Sequence, residues 1–142
     1  MKILITSDLH RATKMLDTVL SKHPDIDHHI DAGDSQLSVA LLEQLKIVSV
    51  KGNTDFFIKL PEYRLLSYDG KKILLIHGHH QRVKSGLKQL ISFAKSLKVD
   101  ICIYGHTHRQ NLTRVDNLIL LNPGALMNGN YALYYKGEIL LY

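Results

Sequence analysis

The sequence has no tryptophan, a single cysteine and an aromatic content of only 7%. Aliphatic side chains must therefore supply most of a core, and a hydrophobic content of 45% is enough for one. Cys102 has no partner for a disulfide within the chain, which is typical of a reducing compartment. Because it lies in an apolar run, we expect it to be a small buried hydrophobic residue.

Long hydrophobic runs are also missing. No apolar stretch approaches the roughly 20 residues that a bilayer-spanning helix needs. Residues 1–5 are too short for the apolar part of a signal peptide. We therefore expect a cytoplasmic protein with no membrane partner.

The charge is positive but is not concentrated in one segment. The formal net charge is +5 with neutral histidines, which favours anionic ligands in general. Lysine and arginine are scattered, and no basic stripe carries interleaved aromatic residues. This pattern argues against nucleic acid as the partner and leaves a nuclease-like role only as a second alternative.

A length of 142 residues fits one compact domain. The first half alternates strands and helices, which is typical of parallel βαβ units. We predict strands at residues 2–6, 28–31 and 47–50, and helices at 13–21 and 36–45. In the second half we predict hairpins around Asp69-Gly70, Asp116-Asn117 and Lys136-Gly137, a helix at 85–97 and a strand at 100–104. These patterns indicate an α/β (α+β) fold with two sheets stacked face to face and helices outside.

Five short polar segments follow predicted strands, and each contains groups able to bind a metal ion. They are Ser7-Asp8-Leu9-His10, Gly33-Asp34, Gly52-Asn53-Thr54-Asp55, His77-Gly78-His79-His80 and Gly105-His106-Thr107-His108. In α/β sheets, ligands bind outside the carboxyl ends of the strands. Segments that are distant in the sequence are therefore expected to converge on one site.

Carboxylate, imidazole and amide oxygen together suit Mn, Fe, Ni, Co or Zn. No thiolate belongs to the set, which argues against a structural zinc site. A carboxylate can bridge two ions through its two oxygens, and Asp34 is our candidate for that role. Each segment alone also fits a simple turn or a helix cap, but their joint occurrence favours a metal site. We expect structural roles for His23, His28 and His29, which lie outside these segments.

The order of these segments resembles the calcineurin-like metallophosphoesterase superfamily, and in particular its small bacterial and archaeal branch of YfcE-type phosphodiesterases. Asn122-Pro123-Gly124-Ala125 also resembles the Asn-Pro-Gly-Ser segment of that branch. The resemblance implies a single metallophosphoesterase domain over residues 1–142, built as a four-layer αββα sandwich of two mixed sheets flanked by helices. It implies two divalent metal ions with a shared bridging carboxylate. One ion would be held by Asp8, His10, Asp34 and His108, and the other by Asp34, Asn53, His77 and His106.

The activity that the resemblance implies is hydrolysis of a small phosphate-ester substrate. We expect phosphodiesters, with phosphomonoesters as a second class, and attack by a hydroxide shared between the two ions. Much of the superfamily has a histidine after the asparagine that helps to protonate the leaving group, but this chain has Thr54. His79 is our candidate for the acid, with contact to the phosphate as the alternative. The predicted catalytic residues are thus Asp34, Asn53 and His79.

The main alternative is a non-catalytic metal-binding scaffold resembling the retromer subunit Vps29, which acts through partner binding. Thr54 keeps this alternative open, whereas the presence of Asp34 and Asn53 favours an enzyme. The sequence leaves the natural substrate, the native metal and the acid undetermined. It also leaves the oligomeric state open, since the late hairpins offer strand edges for self-pairing.

Overall fold

The computed structural model describes all 142 residues, which form ten strands, three α-helices and two short 3₁₀ turns. The elements are β1 (Lys2–Thr6), α1 (Thr13–Lys22), β2 (His28–Asp31), α2 (Val39–Gln44), β3 (Ile47–Ser49), β4 (Tyr63–Tyr68), β5 (Lys71–Ile76), α3 (Lys88–Ser96), β6 (Ile101–Ile103), β7 (Asn111–Val115), β8 (Leu118–Asn122), β9 (Ala132–Tyr135) and β10 (Glu138–Leu141). The 3₁₀ turns are Val83–Ser85 and Leu126–Asn128.

The strands form two five-stranded mixed sheets. The first has the order β10-β9-β1-β2-β3, in which β1, β2 and β3 are parallel and β9 and β10 are an antiparallel hairpin. The second has the order β4-β5-β6-β8-β7, in which β5, β6 and β8 are parallel and the edge strands pair antiparallel. The predicted βαβ half and the three predicted hairpins are confirmed.

Three hydrophobic clusters join these sheets and helices into four layers. The central cluster lies between the sheets, with Ile5 and Ile30 on one side and Leu75 and Ile103 on the other. The second cluster packs α1 and α2 against the outer face of the first sheet. The third packs α3 against the outer face of the second sheet. The predicted αββα sandwich is therefore confirmed.

Two predicted helices are shorter in the structure, and in both cases the backbone shows why. The helix predicted at 36–45 begins at Val39, because Gln36 has a φ of +59° and Ser38 caps the helix by accepting from the Leu41 N–H at 3.2 Å. The helix predicted at 85–97 begins at Lys88, because Gly86 has a φ of +135°, which is incompatible with a helix.

The single cysteine lies in the core, as its position in an apolar run predicted. Cys102 is fully buried and unpaired, and burial raises the pKa of its thiol. No helix is both long and apolar enough to cross a bilayer.

The three histidines outside the polar segments all make structural contacts. His23 Nε2 lies 2.8 Å from the Tyr131 hydroxyl, and the His28 ring packs on Tyr68 with a centroid distance of 4.5 Å. His29 is buried, with Nε2 at 2.8 Å from the hydroxyl of Thr6.

His29 belongs to a buried polar network within the first sheet. The Thr6 hydroxyl that it contacts donates to Oδ2 of Asp31 at 2.7 Å. Oδ1 of Asp31 accepts from the Gly33 N–H at 2.9 Å and the Ser49 hydroxyl at 3.1 Å. Burial lowers the pKa of His29 to about 3. Burial also raises the pKa of Asp31 to about 7, although its hydrogen bonds oppose that shift.

These two shifts should affect stability with opposite signs in one pH window. Unfolded His29 takes up a proton below its ordinary pKa of 6.5, while folded His29 stays neutral. His29 therefore lowers the free energy of unfolding as the pH falls from 6.5 toward 3. Folded Asp31 keeps a proton that unfolded Asp31 loses above pH 3.8. Asp31 therefore lowers the free energy of unfolding as the pH rises from 3.8 toward 7. Between about pH 4 and 7 the two residues therefore change the free energy of unfolding in opposite directions.

We expect His29→Gln to gain free energy of unfolding relative to the wild type as the pH falls from about 7 to 4. Asp31→Asn should lose it over the same range, each by up to about 1.4 kcal/mol per pH unit. Urea unfolding in the presence of a chelator, at several pH values, measures both slopes. Parallel pH profiles for the two variants and the wild type would contradict the prediction.

Candidate metal centre

The seven predicted metal ligands converge on one region at the carboxyl ends of the parallel strands. Asp8 and His10 follow β1, Asp34 follows β2, and Asn53 follows β3. From the second sheet, His77 directly follows β5, and His106 and His108 follow β6. The two sheets meet here, since the His106 N–H donates to Oδ2 of Asp8 at 3.1 Å.

Two glycines allow the loops to approach this closely. A Cβ on Gly52 would lie 2.0 Å from Oδ1 of Asp34, and one on Gly105 would lie 2.0 Å from the Ser7 hydroxyl oxygen. Both distances are far below contact distance, so any side chain here would displace a candidate ligand or its neighbour. These glycines are therefore part of the site because they leave space for it.

Most of the candidate ligands also have an uncommon backbone conformation. Five of the seven have φ between 48° and 73°, in the left-handed region: Asp8, His10, Asp34, His106 and His108. Such a conformation costs a non-glycine residue about 1–3 kcal/mol and concentrates at functional sites. The fold thus holds these side chains in place at an energetic cost.

Asp8, His10 and His108 form the first group of ligand atoms. Oδ1 of Asp8 lies 3.2 Å from Nε2 of His108 and 3.7 Å from Nε2 of His10. Oδ2 of Asp8 accepts from the Ser7 hydroxyl at 2.7 Å. By contrast, Oδ1 of Asp8 and Nε2 of His10 are buried without a hydrogen-bond partner. A cation between these atoms would satisfy both, so the group fits a metal ion.

Asp34, His77 and His106 form the second group. Nε2 of His77 lies 3.1 Å from Oδ2 of Asp34 and 3.1 Å from Oδ1 of Asn53. Nδ1 of His77 lies 2.8 Å from the carbonyl oxygen of Ala32, to which it donates. This contact orients the ring and points Nε2 into the site, as is usual for a metal-binding histidine. The His106 ring lies at a centroid distance of 5.1 Å from that of His77.

Asp34 lies between the two groups, and a single oxygen faces both. Oδ2 is 3.1 Å from Nε2 of His77 in the second group and 4.0 Å from Nε2 of His10 in the first. Oδ1 instead accepts from the Thr54 N–H at 2.9 Å. The sequence predicts a bridge through both oxygens of this carboxylate, whereas in the structure only Oδ2 faces the two groups.

The charges of the second group are set by its own members. Burial works to raise the pKa of Asp34, but the hydrogen bond and charge of His77 outweigh it and hold that pKa well below its ordinary value. Burial works to lower the pKa of His77, and the Asp34 hydrogen bond and nearby carboxylates raise it. Burial and then the charge of His77 lower the pKa of His106 to about 4. At neutral pH, Asp34 is therefore ionised and His106 is neutral.

His79 and Thr54, the residues involved in the question of the acid, lie beside the two groups. The His79 ring is 5.4 Å from the His77 ring by centroids, and its Nδ1 is shielded without a hydrogen-bond partner. Burial, and then the charges of His80 and His77, lower the pKa of His79. The Thr54 hydroxyl accepts from Nε2 of Gln36 at 3.0 Å. That amide nitrogen also lies 3.2 Å from Nδ1 of His10.

Two buried residues support the ligands, and their roles were missed in the sequence. Asp55 accepts the N–H groups of Asp34 at 2.9 Å, Gln36 at 2.9 Å and Gly52 at 2.7 Å, which ties two ligand loops together. Asn122 donates to the Gly105 carbonyl at 3.2 Å and thereby supports the His106 loop. Both residues lie in motifs identified from the sequence, but a hydrogen bond between distant loops leaves no pattern in the sequence.

Comparison with known proteins identifies the family of this chain. Residues 1–134 match the family model of the calcineurin-like phosphoesterase superfamily domain. The probable metallophosphoesterase YsnB of Bacillus subtilis is 32% identical over 127 residues, which is 89% of this chain and 75% of YsnB.

Solved structures share the fold at lower identity. A predicted phosphoesterase from Streptococcus pneumoniae has a TM-score of 0.83 at 24% identity, covering 99% of this chain and 96% of that protein. Vacuolar protein sorting 29 from Cryptosporidium parvum has a TM-score of 0.78 at 19% identity, covering 99% and 95%. The phosphoesterase Yfce from E. coli has a TM-score of 0.65 at 18% identity, covering 96% and 89%. On the family match, the chain belongs to the calcineurin-like phosphoesterase superfamily, as its motifs predicted.

Proposed function

We propose that the protein is a dimetal-dependent phosphoesterase that hydrolyses phosphodiesters, with phosphomonoesters as a second class of substrate. One observation carries the proposal. Oδ2 of Asp34 faces two groups of ligand atoms, one of which contains buried polar atoms without a hydrogen-bond partner. A carboxylate between two such groups suits a pair of ions that act on one phosphate.

The ligand assignment follows the two groups. Asp8, His10 and His108 would hold one ion together with Asp34. His77, His106 and Asn53 would hold the other, again with Asp34. This nitrogen and oxygen donor set fits Mn, Ni, Fe or Zn. When bound, such ions would activate water as the nucleophile and offset the charge that develops on the phosphoryl oxygens.

Other side chains and backbone groups orient the proposed ligands before a substrate binds. The Ala32 carbonyl fixes the ring of His77, and Asp55 fixes the backbone of Asp34. The ionised state of Asp34 and the neutral state of His106 are the forms that bind a metal ion. Such preorganisation reduces the rearrangement needed during the reaction.

The proton for the leaving oxygen is a separate matter. The role of His79 as the acid stays a prediction, and its lowered pKa leaves the ring largely neutral at pH 7, which weakens it as a proton donor. Thr54 is a poor acid in any case, and its hydroxyl is engaged with Gln36.

The scaffold alternative rests on Thr54 and on the fold shared with vacuolar protein sorting 29. A metal-binding scaffold would use the same ligands, so metal binding alone does not distinguish it from an enzyme. Turnover separates the two readings. An activity assay on a chromogenic phosphodiester with Mn or Ni is therefore the direct test.

We expect Asp34→Asn to lower turnover of bis(p-nitrophenyl) phosphate by at least about 100-fold, because metal stabilisation of the transition state supplies several kcal/mol. Asp116→Asn, which removes an exposed carboxylate paired with Lys95, should retain wild-type turnover. Circular dichroism checks that both variants fold. Undiminished turnover of Asp34→Asn would refute the proposal, and a wild type with two bound ions and no turnover would favour the scaffold.

Metal affinity should fall on acidification from pH 8 to 5. The raised pKa of His77 means that its proton must leave before Nε2 binds a metal ion, which weakens binding by about tenfold per pH unit below that pKa. His106, with a pKa lowered to about 4, should contribute much less to this slope than His77. Calorimetric titration with Mn at four pH values gives the slope, and equal affinities at pH 5 and 8 would contradict it.

Asp55→Asn should weaken metal binding although Asp55 is not a ligand. The amide has only one acceptor oxygen, so part of the three-way tie to Asp34, Gln36 and Gly52 is lost. Supporting residues of this kind are typically worth about 10–100-fold in metal affinity. Titration of this variant beside Asp116→Asn measures the effect, and an affinity equal to that of the control would refute the supporting role.

A further inference from the structure

A third group of metal-capable side chains lies outside the seven proposed ligands. Glu62, His79 and His80 each offer a ligand atom, and the three atoms lie within 4.8 Å of one another. Nε2 of His80 is 3.4 Å from Oε2 of Glu62. The rings of His79 and His80 lie 4.1 Å apart by centroids.

The β4–β5 hairpin brings these residues together. Its register pairs Tyr63 with Ile76, so Glu62 lies beside the residues that follow β5. Immediately beyond β5 the chain turns at Gly78, which has a φ of +99°, and the Gln81 N–H donates to the Gly78 carbonyl at 3.1 Å. The turn therefore fixes the backbone that carries both histidines. The arrangement is determined by strand register and one glycine, so it does not depend on long flexible loops.

Several features of this group point to a ligand. The Nδ1 atom of His79 is shielded from solvent and has no hydrogen-bond partner. The contact between the exposed side chains of His80 and Glu62 contributes little to stability by itself, so stability does not explain why they lie together. All three side chains also line one depression of about 200 Å³, together with Tyr63 and Phe93. A cation bound among the three side chains would account for these features together.

We propose that Glu62, His79 and His80 form a third metal site, which binds one divalent transition-metal ion such as Zn²⁺. Two imidazoles and one glutamate are a common three-ligand set for zinc, with the remaining position open to water or substrate. The absence of a thiolate again favours an open site over a closed structural one.

The proposed ion would lie beside the dimetal centre. The His79 ring is 5.4 Å from that of His77 and 6.1 Å from that of His106 by centroids. An additional positive charge at this rim would attract the anionic phosphate ester. A ligated His79 is not free to deliver a proton, so the metal site and the acid role of His79 exclude each other.

Metal content measured on the full chain tests the proposal. After loading with Zn²⁺ and removal of the excess by desalting, the wild type should hold three ions per chain. Glu62→Gln, His79→Gln and His80→Gln should each hold two, and titration should show the loss of one class of site. Glu62 and His80 are exposed, so their substitution leaves the core intact. His28→Gln, a matched control far from the group in the fold, should still hold three.

Two results would overturn the proposal. One is a wild type that holds only two ions, both retained by Glu62→Gln and His80→Gln. The other is an unchanged ion count in all three variants while only His79→Gln loses turnover, which would assign His79 the acid role. Failure of the dimetal proposal looks different: the wild type would then hold one ion, and Glu62→Gln or His80→Gln would abolish its binding.

Discussion

One carboxylate oxygen, Oδ2 of Asp34, faces both groups of ligand atoms, and much of the surrounding structure holds it there. The other oxygen of Asp34, Oδ1, accepts from the Thr54 N–H, and the backbone N–H of Asp34 donates to Asp55. Gly52 leaves space for the carboxylate, since a Cβ at that position would overlap it. The backbone of Asp34 accepts a left-handed conformation that most residues avoid. Each of these contacts restricts the same side chain, so their combined effect is a nearly fixed oxygen.

Holding an ionised carboxylate in a buried position is expensive unless positive charge and hydrogen bonds compensate for lost water. In this structure the compensation comes from His77, from backbone N–H groups and, in our proposal, from metal ions. Asp8 is a second buried carboxylate, and only one of its two oxygens is hydrogen-bonded. Its Oδ2 accepts two hydrogen bonds, while its Oδ1 has none. A site designed only for stability would have satisfied both oxygens.

Much of the fold was predictable because its signals are local. Short apolar runs gave the strands, and turn dipeptides such as Asp69-Gly70 and Lys136-Gly137 gave the hairpins. The prediction was wrong where a tertiary contact decides the backbone. Gln36 reads as the start of a helix, but its N–H donates to Asp55 and its φ is positive, so the helix begins later. Propensity within the segment carries no information about that distant acceptor.

The same distinction separates the predicted from the missed site residues. The candidate ligands were identifiable because metal chemistry restricts the residue types and the motifs place them after strands. Asp55 and Asn122 act through hydrogen bonds to backbone groups of other loops, which leave no pattern of residue types. Glu62 was invisible for another reason. It is an ordinary exposed glutamate until the hairpin register places it beside His80.

The proposed ligands come from both sheets, and this has a consequence for a chain that contains no disulfide. Asp8 from the first sheet and His108 from the second, 100 positions apart in the sequence, would share one ion. A link of that span closes a very long loop, and the entropy it removes from the unfolded chain grows with loop length. The ions would then act as a reversible staple across the sandwich. The stability of the folded chain would rise and fall with the supply of metal.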